Sequence, residues 1–189
     1  MRFNDHSDLE GKHAFLSASK YTWLNYDEDK LVNSYYTSRA TQRGTELHEF
    51  AAEAIRLGIK LPKTRETLNM YVNDAIGFRM QPEQVLKYSD NAFGTADAIS
   101  FRKVKGRYLL RVHDLKTGVT KASFSQLLIY VAFFCHEYGF KPSEIDAELR
   151  IYQNNAVEVY VPDVTDIVRV YEHVKWSDEI ISNLKAGDD

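Results

Sequence analysis

The sequence predicts an α/β fold with a mixed central sheet flanked by helices, and three observations carry that reading. First, two apolar runs, Thr95 to Lys103 and Arg107 to Leu115, flank Lys105-Gly106, where Gly106 permits the positive φ of a two-residue hairpin loop. Second, a helical pattern over Ser123 to Tyr138 separates that hairpin from another alternating run at 145 to 152. A right-handed crossover by this helix returns the chain parallel to the strand ending in Asp114-Leu115-Lys116. Third, the elements run in the order helices, three strands, helix, two strands, helix, which mixes parallel and antiparallel neighbours.

In chain order, residues 1 to 14 are polar and read as loose. Ser17 or Ser19 can cap a helix-like segment whose buried side would be Trp23, Leu24 and Tyr26. Residues 27 to 38 read as a charged, aromatic-bearing connection. From about Arg39 to Leu57 a helix is predicted, because Leu47, Ala51, Ala54 and Ile55 recur at helical spacing and Gly58 is a stop. A second helix is predicted over 64 to 80, with Leu68, Tyr71, Ala75 and Phe78 on one face. After Pro82, residues 83 to 88 read as a first strand leading into the hairpin. Ser123 can cap the crossover helix, and Gly139 and Pro142 follow its end. Its apolar stripe is Leu127, Val131, Phe134 and Cys135. Asn154-Asn155 signals a turn between strands at 145 to 152 and 156 to 161. Asp163 or Thr165 can cap a last helix bearing Ile167, Val170, Tyr171, Val174, Ile180 and Ile181.

The totals bound the rest. A chain of 189 residues with 44% apolar and 27% charged residues is expected to be one globular domain, 1 to 189. The formal charge of −3 means that a nucleic-acid partner must be met by a local basic patch, not by a global field. The single cysteine, Cys135, excludes an intrachain disulfide and a cysteine-ligated cluster within one chain, and its apolar setting predicts a buried thiol. No run is long and apolar enough to span a bilayer and no signal-peptide pattern opens the sequence, so the expected location is cytoplasmic.

The chemistry follows from the hairpin's register. With Lys105-Gly106 as the loop, Val104 faces Arg107 and Asp97 falls opposite Asp114. Opposed residues share a face with Cβ atoms roughly 5 Å apart. Two carboxylates that close are unfavourable unless a cation or a proton lies between them. Strand alternation puts Lys116 on the same face as Asp114, and Ile99 and Phe101 opposite Val112 and Leu110 set this face against a core. Register alone therefore suggests a divalent-metal site beside an ammonium. Gln126 and Tyr130 share a helix face, either as a helix–sheet margin or as part of that site. His48, one turn after Gly44, is either a core-edge histidine or a site residue.

Four motifs, RGTELH at 43 to 48, GTADA at 94 to 98, HDLKTG at 113 to 118 and QLLIY at 126 to 130, occur in that order on the expected elements. On them the chain resembles the PD-(D/E)XK nuclease superfamily, in its RecB-like and lambda-exonuclease-like branch, over roughly Ser17 to Glu158. The resemblance implies a restriction-endonuclease-like core and metal-dependent hydrolysis of DNA phosphodiesters, as an exonuclease in end processing or recombination. It implies metal ligation by Asp97, Asp114 and His48, with the backbone carbonyl of Leu115 as a further ligand. Lys116 would position the attacking water and the scissile phosphate, while Gln126 and Tyr130 would support the site and the DNA backbone. The ion implied is Mg²⁺, or Mn²⁺ given the imidazole. Arg43 and Lys121 are expected on the nucleic acid, within a wider basic set of Arg39, Arg102, Lys103, Lys105, Arg107 and Lys141.

The sequence also departs from the family. The signature acid is Asp114 instead of Glu, the four cluster cysteines of many members are absent, and no helicase motif is present, so unwinding would need a separate helicase or recombination partner. A stand-alone nuclease of this size suggests a bacterial or phage-infected host cell. The competing readings are a non-catalytic nucleic-acid or protein-binding module that keeps the fold, and a structure-selective endonuclease.

Overall fold

The computed structural model describes residues 14–187 and divides into two compact units, one ending at Glu46 and one beginning at Leu47. Most of the N-terminal stretch expected to be loose lies outside the described residues. In the first unit a 3₁₀ segment, Ala18–Asn25, is tied by Trp23 Nε1 donating to the Ser17 carbonyl at 2.9 Å. Neither Ser17 nor Ser19 caps it in the expected manner: Ser17 makes no side-chain cap bond, and the two hydroxyls bond each other. Of the three residues expected on a buried side, Trp23 and Tyr26 are half-buried and Leu24 is 68% exposed, because at three residues per turn Trp23 and Tyr26 share a stripe that Leu24 lies off.

The expected connection at 27 to 38 is instead helical, and α1 runs unbroken over Glu28–Leu57. Asp27 Oδ1 accepts from the Lys30 amide at 2.8 Å, satisfying one of the helix's orphan donors. Thr37, Thr41 and Thr45 each turn their hydroxyl back to the carbonyl four residues earlier. Polar residues that would favour a loop thus find their partners within the helix.

The second unit holds the sheet. Among the described residues, β1 (Gln81–Lys87), β2 (Phe93–Val104), β3 (Arg107–Leu115), β4 (Ile145–Gln153) and β5 (Ala156–Tyr160) form one mixed sheet in sequence order. All neighbours are antiparallel except β3 and β4, which are parallel across the crossover helix α3 (Ser125–Tyr138). Lys105 and Gly106 have φ of 48° and 87°, and Asn154 and Asn155 have 52° and 57°, so both hairpins close with two left-handed residues. Pro82 lies inside β1, which is tolerable because β1 is an edge strand. The helix predicted over 64 to 80 is shorter, α2 (Thr67–Gly77), and α4 spans Val164–Gly187, capped by Asp163 Oδ1 on the amides of Thr165 and Asp166.

Each face of the sheet is covered. Ile99, Leu110, Val112, Leu149 and Ile151 pack under Leu127, Val131, Phe134 and Cys135 of α3, and the Cys135 thiol is pushed up to about 12 by burial. On the other face Ala98, Leu115 and Tyr152 meet Ala51, Ala54 and Ile55 of α1 and Tyr71, Val72 and Ala75 of α2. α4 packs on α3 through Ile167, Val170, Tyr171 and Val174, while Ile180 and Ile181, expected in the same stripe, are 40% and 41% exposed. No helix among the described residues is long and apolar enough to cross a membrane.

Candidate metal centre

The β2–β3 ladder pairs Val104 with Arg107 and Ala98 with His113, so the same register carries Asp97 to the position facing Asp114. Asp97 Oδ2 accepts from the Leu115 amide at 2.8 Å, which fixes the carboxylate across the two strands. His48, from the part of α1 in the second unit, brings Nδ1 to 3.5 Å from the same oxygen. That bond to Asp97 raises the His48 pKa above its ordinary value despite partial burial.

A third group joins them. Pro82 pairs with Ala98 and Gln84 with Ala96, so Glu83 falls opposite Asp97, and its φ is +51°. A non-glycine residue in the left-handed region inside a strand costs on the order of 1–3 kcal/mol and persists only where its surroundings over-determine it. One ligand atom from each of His48, Glu83 and Asp97 lies within 4.8 Å of the others. Burial, then the Asp97 charge, raises the Glu83 pKa. In the sequence Glu83 reads as no more than the first residue of the strand expected at 83 to 88.

Asp114 is only 2% exposed. Its Oδ1 lies 3.1 Å from Lys116 Nζ, whereas Oδ2 is buried with no hydrogen-bond partner. Burial first, and the Asp97 charge second, push its pKa up to about 6. Lys116 also donates to Gln126 Oε1 at 2.9 Å, Gln126 Nε2 donates to the Tyr130 hydroxyl at 3.1 Å, and that hydroxyl donates to the Thr95 carbonyl at 2.6 Å. A single chain of hydrogen bonds therefore runs from Asp114 through Lys116, Gln126 and Tyr130 to β2. It sets the ammonium's position from both ends.

The donor set fits a hard divalent cation. Carboxylate oxygens and one imidazole converge, and beside them stands Asp114 Oδ2, a buried oxygen that Lys116 leaves without a partner. The Leu115 side chain is buried in the opposite core, leaving only its backbone at the site. Lys121 is 79% exposed and pairs with Glu158 at 3.5 Å. Arg43 belongs to the first unit, where it lines a hollow with Tyr35, Tyr36 and Arg39. Gln153, also not singled out, donates to the carbonyls of Gly118 and Thr120 and accepts from the Ala122 amide, holding the loop that follows Lys116.

No protein-family model matches the chain, and no curated protein matches it. A solved structure, the crystal structure of SSO0001, is similar at 16% identity over 82% of this chain, with a TM-score of 0.32. The chain spans 65% of the length of that protein. At that TM-score neither fold nor function is transferred from it.

Proposed function

We propose that this protein is a divalent-metal-dependent deoxyribonuclease that hydrolyses phosphodiester bonds from free DNA ends, in end processing or recombination. The observation that carries the reading is the convergence of His48, Glu83 and Asp97 beside a buried carboxylate, Asp114, whose other oxygen holds Lys116. The imidazole of His48 and the carboxylates of Glu83, Asp97 and Asp114 would hold Mg²⁺ or Mn²⁺. Such an ion supplies Lewis-acid charge to a phosphate oxygen and to the attacking water.

The protein's own groups do the rest. Asp97 accepts a hydrogen bond from the Leu115 amide, which orients its carboxylate within the cluster. Lys116, held between Asp114 and Gln126, presents an ammonium that binds a non-bridging phosphate oxygen and stabilises charge as the transition state forms. Tyr130 and Thr95 keep Gln126 with its oxygen toward the lysine. The contacts available are to phosphate, which fixes register without reading sequence. That favours selection of a terminus over selection of an internal site.

The test is end-labelled linear DNA against covalently closed circles, single- and double-stranded, with Mg²⁺ and with chelator. The expected result is loss of linear DNA alone, abolished by chelation and weakened by salt. Circles cut as fast as linear DNA would replace the exonuclease reading by the endonuclease one. No cleavage of any DNA under metal would leave a binding module.

A further inference from the structure

We propose that the groove between α3, α4 and the β1–β2 turn receives unpaired bases of a single-stranded nucleic acid leading into the metal centre. The proposal rests on the nuclease reading and adds to it the strandedness of the substrate. The groove has a volume of about 600 Å³, within the ~300–1,000 Å³ of small-molecule clefts. Its walls are mainly apolar, from Leu128, Ile129 and Phe133 on α3 and Val170, Val174 and Ile181 on α4. Phe93 stands at the mouth with 62% of its surface exposed.

Three features name the occupant. The first is continuity with the metal centre. Phe93 immediately precedes Gly94, which lies against the Tyr130 ring, and Ser125 on the groove wall immediately precedes Gln126. Whatever lies in the groove therefore abuts the residues that orient Lys116. The second is chemistry. Phe93 offers a stacking platform, and His173, which lines the groove, pairs with the exposed Trp176 at 5.3 Å between ring centroids. Base–aromatic stacking is tolerant of sequence, as expected where phosphate contacts dominate. The third is charge. Arg169 also lines the groove, with its side chain 76% exposed and Asp166 as far as 3.9 Å away. Asp178, which also lines the groove, has its carboxylate engaged by the Ser89 hydroxyl and the Asn91 amide. A duplex keeps its bases stacked inside and has none to offer such a groove, whereas a frayed or single-stranded end does.

The test is binding of a short single-stranded oligonucleotide carrying 2-aminopurine, with chelator present so that no cleavage intervenes, compared with a blunt duplex of the same length. Phe93→Ala is expected to weaken single-strand binding by about tenfold, with duplex binding unchanged and Phe93→Trp restoring affinity and quenching the probe. Ile129→Gln, at a second exposed position, is expected to act in the same direction, and circular dichroism checks both folds. Native-like single-strand binding by Phe93→Ala, or equal loss for single strand and duplex, overturns the proposal. If the native protein cleaves DNA yet Phe93 is indifferent, only the groove assignment fails. If the native protein neither binds nor cleaves any DNA, the nuclease reading fails with it.

Discussion

The ring of Tyr130 closes over Gly94: a Cβ at residue 94 would meet Tyr130 Cε1 at 3.2 Å. The same ring's hydroxyl bonds the Thr95 carbonyl and receives Gln126 Nε2. A methyl group there forces the ring back by a few tenths of an ångström, and that displacement passes along the hydrogen bonds to Lys116. Gly94→Ala is therefore expected to lower DNA cleavage by about tenfold while shifting the melting temperature little, since alanine also restricts the unfolded strand. Tyr130→Phe should lower cleavage comparably. Full activity in Gly94→Ala would mean that Tyr130 does not help to set the site.

Asp114→Asn is expected to abolish cleavage and to keep the fold. It also tests the electrostatics without any activity measurement. The Asp114 pKa is pushed up to about 6, against about 3.9 for an unfolded aspartate, so between those values the folded metal-free protein binds more protons than the unfolded chain. Its contribution to stability is complete below about pH 4 and is lost as pH rises through about 6. In chelator, the native protein should lose melting temperature relative to Asp114→Asn over that window, and divalent metal should reverse the loss. An amide variant less stable than native at pH 8 without metal would contradict this balance.

These two residues also show what the sequence could and could not carry. The sequence sets Asp97 opposite Asp114 because a two-residue loop at Lys105-Gly106 fixes every pair along the hairpin, and the observed ladder keeps that register as far as Ala98 and His113, one residue short of them. The parallel return of β4 followed from the helix between it and β3. Glu83 was invisible for a physical reason. Its place opposite Asp97 depends on the longer turn between β1 and β2, whose register no short motif sets, and on a left-handed φ that glutamate rarely adopts. The helix over 28 to 38 was hidden because Ser, Thr and Asn weaken a helical pattern, while the bonds that satisfy them appear only once the helix exists. The close approach of Tyr130 to Gly94 joins residues far apart in the chain, and glycine's reason for being there belongs to its neighbour.

The converging groups should bind metal in a measurable order. Titration calorimetry with Mn²⁺ is expected to give one site per chain, with affinity falling by about tenfold or more in Glu83→Gln and in His48→Ala. Loss of the imidazole should weaken Mn²⁺ more than Mg²⁺, because nitrogen is the softer ligand. Unchanged Mn²⁺ affinity in Glu83→Gln would remove Glu83 from the centre and leave its strained backbone without a functional cause.

A last prediction concerns the opposite face of the sheet. His113 is fully buried, with its ring 5.6 Å from that of Phe78, over which the guanidinium groups of Arg111 and Arg150 also lie. Tyr152 donates its hydroxyl to Asp74 at 2.7 Å, so the contact of 3.2 Å between Tyr152 and His113 Nδ1 requires Nδ1–H to be the donor. Nε2 is then the bare nitrogen, and it is buried without a partner. A proton there would find no acceptor and would sit among two cations. Burial first, then Arg150 and Arg111, depress the pKa to about 3, far below the ordinary histidine value of about 6.5. Between those values the unfolded chain binds more protons than the folded one, so this group's contribution is complete above about pH 6.5 and is lost as pH falls toward 3. Asp114 acts in the opposite sense over much of that range, so each residue must be read as the difference between its own variant and the native protein. His113→Leu keeps the Tyr152–Asp74 bond and removes the titrating group. Its melting temperature is expected to fall less than native between pH 7 and pH 4.5, while nuclear magnetic resonance of the native protein finds the His113 ring neutral at pH 5. A His113 ring that protonates near pH 6.5 without loss of structure would show that water reaches Nε2 and that the polar layer beneath α2 is open.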